Sequence, residues 1–180
     1  VKILPIALLL IWSVQRGQTW RGHVIGIALV FSAVGDIAMA KDEFLPGLSA
    51  FLLAHIAYLT VFCRNLTTDT PQKLLIAGIV LWSAGTVAYL WPTLGDMKIP
   101  VVVYCGVIAA MASAAIAGAN HRNVAVGAAL FAASDAIIAI DRFAIDFPAA
   151  PYLIMILYYA AQYLLTWDAR RGEYASIIPR

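Results

Sequence analysis

The sequence predicts an all-α protein, a polytopic bundle of transmembrane helices. Three observations point there: an oily composition, six long apolar stretches, and short breaker-rich connections between them. Of the 180 residues, 63% are hydrophobic and 12% charged, and the mean hydropathy is +0.86. A soluble domain is about 45–50% apolar and about 25% charged, so this chain has too little polar surface to face water. The apolar stretches are continuous and rich in Ala, Gly, Leu and Ile. They lack the alternation that a membrane β-barrel strand shows over about 10 residues. A net charge of +2 is too small to suggest a nucleic-acid partner.

A spanning helix needs about 20 mostly apolar residues. The first apolar run, 3–15, is shorter, and Lys2 precedes it as in a signal peptide. The "SVQRGQTW" that follows has no small-x-small cleavage pattern, so the run reads as a span. The chain does not begin with Met, and residues are expected before Val1. Segment 22–40 closes at "KDEF", 44–63 at "RNLTTDTPQK", 74–91 at "PTLGDMK" and 99–118 at "NHRN". Segment 123–140 closes at "DRFAIDFPAAP", and 150–167 is the last span. These connections hold the Pro, Gly, Asn and Asp expected of turns. The expectation is seven spans in one integral membrane domain, 1–180, with small residues letting the helices approach closely.

Loop charge sets orientation. One side carries eight cationic residues (Arg16, Arg21, Arg64, Lys73, Arg122, Arg170, Arg171 and Arg180) and the other four (Lys2, Lys41, Lys98 and Arg142). The richer side should be cytoplasmic, with the carboxyl terminus inside, as in a bacterial inner membrane. Cys63 and Cys105 form no metal spacing and fall toward opposite faces, so both read as reduced packing residues. His23, His55 and His121 are too scattered for a zinc site.

Within the six long spans the acidic residues are Asp36 and Asp135. They lie 99 residues apart, and at that offset Ala40 meets Ala139, Asp42 meets Asp141 and Phe44 meets Phe143. The shared D-x-x-x-A-x-D-x-F is a weak internal repeat, a device that in membrane proteins often builds a site at the repeat interface. Both helices run in the same direction. Each Asp should lie about 6 Å below the same face, the outer one by the charge count. An ionised residue in hydrocarbon costs about 2.5–3.5 kcal/mol, less near a helix end. One such Asp reads as a cap or a snorkelling group; two in register on one face point to function. Carboxyl groups sharing a cavity do not both ionise easily, so one keeps its proton and can act as an acid. That division suits acid-catalysed cleavage through a cationic intermediate.

Other polar residues fall within reach. His55 is near mid-span, with Tyr58 one turn on. The last span carries Tyr158, Tyr159 and Gln162, and buried amides and phenols need partners. Ser32 precedes Asp36 by one turn, Ser134 adjoins Asp135, and Tyr104 lies at the depth of the aspartates. Lys2 sits at the outer face, where it could meet an anionic headgroup. The bland readings are a hydrogen-bonded helix contact for His55, an interfacial anchor for Tyr104 and a flanking charge for Lys2.

Together "GDIAMA", "FLPGLSAFLLAHIAY", "YCGVIAAM", "GAALFAASDAIIAIDRF" and "YYAAQYLL" resemble the YhhN-type membrane proteins, the lysoplasmalogenase family. No single motif is highly specific; the ordered set, over nearly the whole chain, is. The resemblance implies eight spans in the full pattern, one of them before Val1. It implies a lysophospholipid substrate whose vinyl ether bond is hydrolysed to a fatty aldehyde and a glycerophospho-headgroup. It places the paired acids at Asp36 and Asp135, the buried histidine at His55 and the Tyr-Gln element at Tyr159 and Gln162. The family's lysine-proline pattern is matched only loosely, by "KILP", which bears on Lys2. No metal or redox cofactor is expected. The competing classes are a transporter or proton relay, since intramembrane Asp and His also mark ion pathways, and an assembly subunit with the aspartates as interhelical glue.

Overall fold

The computed structural model describes residues 4–16, 19–118 and 122–174. Lys2 and His121 lie outside them. The described residues form α1 (Leu4–Arg16), α2 (Trp20–Ala40), α3 (Phe44–Phe62), α4 (Thr70–Leu90), α5 (Lys98–Ala117), α6 (Arg122–Phe143) and α7 (Ala150–Tyr174). Short 3-10 turns occupy Cys63–Asn65 and Gly95–Met97. Among the described residues there is no strand, only one isolated bridge between Leu66 and Gly118.

Every predicted span is a helix. Five of them, α2 to α6, are long and apolar enough to cross a membrane; α7 carries a shorter apolar stretch, Ala150–Thr166. The 13-residue α1 is shorter than the roughly 20 residues a span needs. The chain is a multi-pass membrane protein.

Local chemistry sets the helix ends. Thr19 caps α2, its hydroxyl accepting from the Gly22 N–H at 3.3 Å. Asp69 and Gln72 form a reciprocal capping box at the start of α4. The end of α2 bends back on itself: the Asp42 N–H donates to the Met39 carbonyl and the Glu43 N–H to the Ala38 carbonyl, at 3.1 and 2.9 Å. This turn needs a left-handed residue, usually glycine. Here Asp42 takes it, with a φ of +59°, and α3 starts two residues later.

The packing order is a ring. α1 packs on α2, α2 on α3, α3 on α5, α5 on α6, α6 on α7, and α7 returns to α1. α4 stands outside, against α5 and α6, with only Ser83 and Leu90 buried. The predicted repeat becomes two three-helix halves, α1–α3 and α5–α7, with corresponding internal contacts. The repeat equivalents Phe44 and Phe143 touch, edge to face, with ring centroids 5.3 Å apart.

Glycine permits a close crossing of α2 and α3. A Cβ on Gly35 would sit 2.8 Å from the Phe51 ring, so α2 and α3 meet this closely only because residue 35 has no side chain. Outward faces carry Leu74, Leu75, Leu81, Trp82 and Ile156, all exposed, as lipid contact requires. Cation–aromatic pairs mark the two ends: the Arg64 guanidinium lies 3.8 Å from the Trp20 ring centroid, and at the other end Lys98 lies 5.0 Å from Trp91. Aromatic and basic residues are enriched at such interfaces.

Candidate active site between the repeats

A cavity of about 250 Å³ opens between the halves, at the end where α2 and α6 finish; Asp36 and Asp135 both line it. Phe51, Tyr158 and Tyr159 form its deeper wall, and Asp42, Asp141 and Arg142 its rim. The two acids of the repeat thus share one space.

Each acid is held by a tyrosine from a different helix. The Tyr104 hydroxyl on α5 donates to Asp135 Oδ2 at 2.7 Å. The Tyr158 hydroxyl on α7 donates to Asp36 Oδ2 at 3.0 Å. Asp135 is 9% exposed, whereas Asp36 is only half-buried. The environments are therefore unequal: one acid sits against protein, the other against the open cavity.

His55 lies fully buried below Asp135. Its Nδ1 is 2.6 Å from the Phe51 carbonyl; a carbonyl only accepts, so Nδ1 carries the hydrogen. In the neutral ring Nε2 then holds the lone pair. It faces Asp135 Oδ2 at 3.7 Å, too far for a hydrogen bond, and makes none. The rings of Tyr104 and Phe131 flank it, with centroids 5.5 and 4.5 Å away.

Beneath the cavity, α2, α3 and α7 are tied together. The Tyr58 hydroxyl donates to Gln162 Oε1 at 2.6 Å, and Gln162 Nε2 donates to Ser32 Oγ at 2.9 Å. All three residues are fully buried, so the chain satisfies polar groups that lipid could not. His55 and Gln162 accordingly sit below the cavity rather than on its wall. Ser134 points elsewhere, donating to the Ile154 carbonyl of α7 at 3.2 Å. Tyr159 lines the cavity beside Tyr158.

Sequence reasoning left the rim out of the site. Arg142 pairs with Asp42 at 2.7 Å, joining the two halves across the mouth. Asp141 Oδ1 accepts from the Phe147 N–H at 3.3 Å and shapes the loop before α7. The signal was present in the repeat, which contains both Asp42 and Asp141. Among the described residues, no three His, Cys, Asp or Glu side chains are grouped to hold a metal ion.

A profile of the YhhN family matches residues 1–169. The human lysoplasmalogenase TMEM86B is 34% identical over 175 residues, covering 96% of this chain and 75% of the human protein. A Mycobacterium tuberculosis lysoplasmalogenase is 37% identical over 149 residues, covering 77% of this chain and 57% of the relative. The bovine lysoplasmalogenase TMEM86A is 31% identical over 188 residues, covering 94% of this chain and 76% of the relative. No solved structure matches the chain.

Proposed function

The chain belongs to the YhhN family, and on that premise we propose that it is a membrane-embedded hydrolase of lysoplasmalogen-type lysophospholipids. It cleaves the vinyl ether bond and releases a fatty aldehyde and a glycerophospho-headgroup. The relatives' names support the reaction class. The shared cavity of Asp36 and Asp135 supports the mechanism.

A vinyl ether resists base and yields to acid. A carboxyl group protonates the outer alkene carbon, and the π pair forms the new C–H bond. The carbon next to oxygen becomes an oxocarbenium ion. Glycosidases manage a similar cation with two carboxyl groups. The second carboxyl stabilises the cation and takes a proton from the water that adds to it. The hemiacetal then breaks its bond to the headgroup oxygen, which receives the hydroxyl proton. One water is consumed, and the proton returns between the carboxyl groups. Tyr104 and Tyr158 hold the two acids in place. His55, buried beside Asp135, supports that acid.

The residues act as one membrane domain, in a bacterial inner membrane, with the carboxyl terminus cytoplasmic and the cavity open to the outer side. The test is direct. Purified protein in detergent, given lysoplasmalogen, should release aldehyde. No aldehyde from folded protein, with ion or substrate flux on reconstitution into vesicles, would establish a transporter instead.

A further inference from the structure

A second, narrow space of about 40 Å³ lies between α3, α4, α5 and α6, and Asp135 lines it as well as the polar cavity. Its walls include Trp82 and Ser83 of α4, Cys105 and Ile108 of α5, and Ala132 and Ala136 of α6. Its few polar groups are Ser83, Thr86, whose hydroxyl donates to the Trp82 carbonyl at 2.9 Å, and Tyr104, whose hydroxyl donates to Asp135. Asp36 lines the polar cavity and not this slot. The rim of that cavity carries both signs of charge, Asp42 and Asp141 against Arg142.

Resting on the hydrolase reading above, we infer that the slot takes the first carbons of the substrate's alkenyl chain, the polar cavity takes its zwitterionic headgroup, and Asp135 is the proton donor while Asp36 serves the water. A lysoplasmalogen reads headgroup, ether oxygen, C1, C2, chain. The structure reads charged rim, Asp36, Asp135, apolar slot. Laid in that order, C2 meets Asp135 at the mouth of the slot, and C1 faces the wet side. The carboxyl proton of Asp135 passes to C2, and the C1–C2 π pair becomes the C–H bond. Water adds to C1 and gives its proton to Asp36. His55 acts through Asp135, as a positioning residue. A competing path for the chain exists: a groove of about 400 Å³ between α1 and α7, lined by Leu8, Leu9, Trp12 and Tyr163, which meets the site at Tyr159.

The chain has two cysteines, and they make a built-in test. Cys105 lines the slot and is partly buried; Cys63 is exposed and lies outside it. Maleimide labelling is followed with and without a saturated 1-O-alkyl lysophosphocholine, which has no vinyl bond to cleave. Labelling of Cys105 should slow at least five-fold, Cys63 should be unaffected, and glycerophosphocholine without a chain should protect neither. Ser83→Cys, on the facing wall, repeats the measurement in a Cys105→Ala background. Unchanged labelling at Cys105 or at this second reporter, or protection of Leu8→Cys instead, overturns the slot. The probe cannot react, so the result stands apart from aldehyde release: protection without hydrolysis would sink the hydrolase reading and leave the slot. The roles are read in D2O. Asp36→Asn should protonate the substrate but capture water slowly, so recovered vinyl ether gains deuterium at C2. Asp135→Asn should return it unlabelled. The opposite pattern, or no label from Asp36→Asn, overturns the assignment.

Discussion

The Asp42 carboxylate on the turn after α2 and the Arg142 guanidinium near the end of α6 meet at 2.7 Å, closing a bridge between the two halves of the repeat over the mouth of the cavity. Asp42 holds its end from a left-handed backbone that glycine would adopt more readily. Both side chains are well exposed, and such pairs contribute only about 0.2–1 kcal/mol. Asp42→Gly should therefore leave the apparent melting temperature unchanged or higher, because the turn is relieved, while the KM for a zwitterionic substrate changes at constant kcat. A large loss of stability in a thermal melt would show that the pair, and not the turn, dominates this corner.

Asp36→Asn and Asp135→Asn keep shape and hydrogen bonding but supply neither an acidic proton nor a full charge. Each should lose activity by about 10²–10⁴-fold, the range of general acid–base catalysis. The double variant should be little worse than either single one, because groups acting as a unit are non-additive. Thermal stability should hold or rise, since a costly intramembrane carboxyl has gone. Wild-type aldehyde release should follow a bell in pH. It falls on the acid side as the water-activating carboxylate gains a proton, and on the alkaline side as the donor loses its own; the two limbs belong to the pair. Near-wild-type rates in both variants would make the acids structural, and unfolding of both would make them interhelical glue.

Tyr104→Phe and Tyr158→Phe remove one hydroxyl each and leave Asp135 and Asp36 without that donor. Hydrogen bonds to charged groups contribute about 1.5–3 kcal/mol. If that stabilisation acts on the reacting state, kcat should fall about 10–100-fold with modest change in KM. Steady-state kinetics on the two variants checks this, and an effect confined to melting temperature would restrict the tyrosines to packing.

Gly35→Ala places a methyl 2.8 Å from the Phe51 ring. Overpacking of this kind costs about 1–3 kcal/mol, and Phe51 also carries the carbonyl that fixes His55. The melting temperature should drop and activity with it. Gly78→Ala on α4 is the control, since a Cβ there meets nothing within 4 Å. Helix propensity favours alanine over glycine by about 1 kcal/mol, so that variant should be unchanged or more stable.

The orientation is open to labelling. A membrane-impermeant thiol reagent should reach Asp146→Cys from outside intact cells, and a reporter on the carboxyl terminus should read as cytoplasmic. Labelling of Asp146→Cys only after lysis would place the cavity on the inner side.

The helices were legible because lipid offers backbone groups no partners, so each apolar stretch long enough to span had one available structure. The aspartate pair was legible because the repeat put both residues at the same depth. The order of packing was not. In a bundle bathed by lipid, outward and inward faces are both apolar, so hydropathy does not distinguish α4, at the periphery, from α5, in the ring. Nothing in "YYAAQ" says that the Tyr158 hydroxyl bonds Asp36, because that partner lies on another helix. The burial of His55 and Gln162 below the cavity was not legible; it depends on Ser32, Tyr58 and Phe51, partners on other turns or other helices.

The position of α4 outside the ring has a consequence for insertion. Three helices carry a chain from one side of the membrane to the other. A second half joined directly to the first would enter upside down, and its aspartate would end at the opposite surface. A single additional crossing restores parity. α4 thus serves as an adapter whose main contribution is to be odd in number: it lets two halves of the same orientation stand side by side and deliver both carboxyl groups to one end.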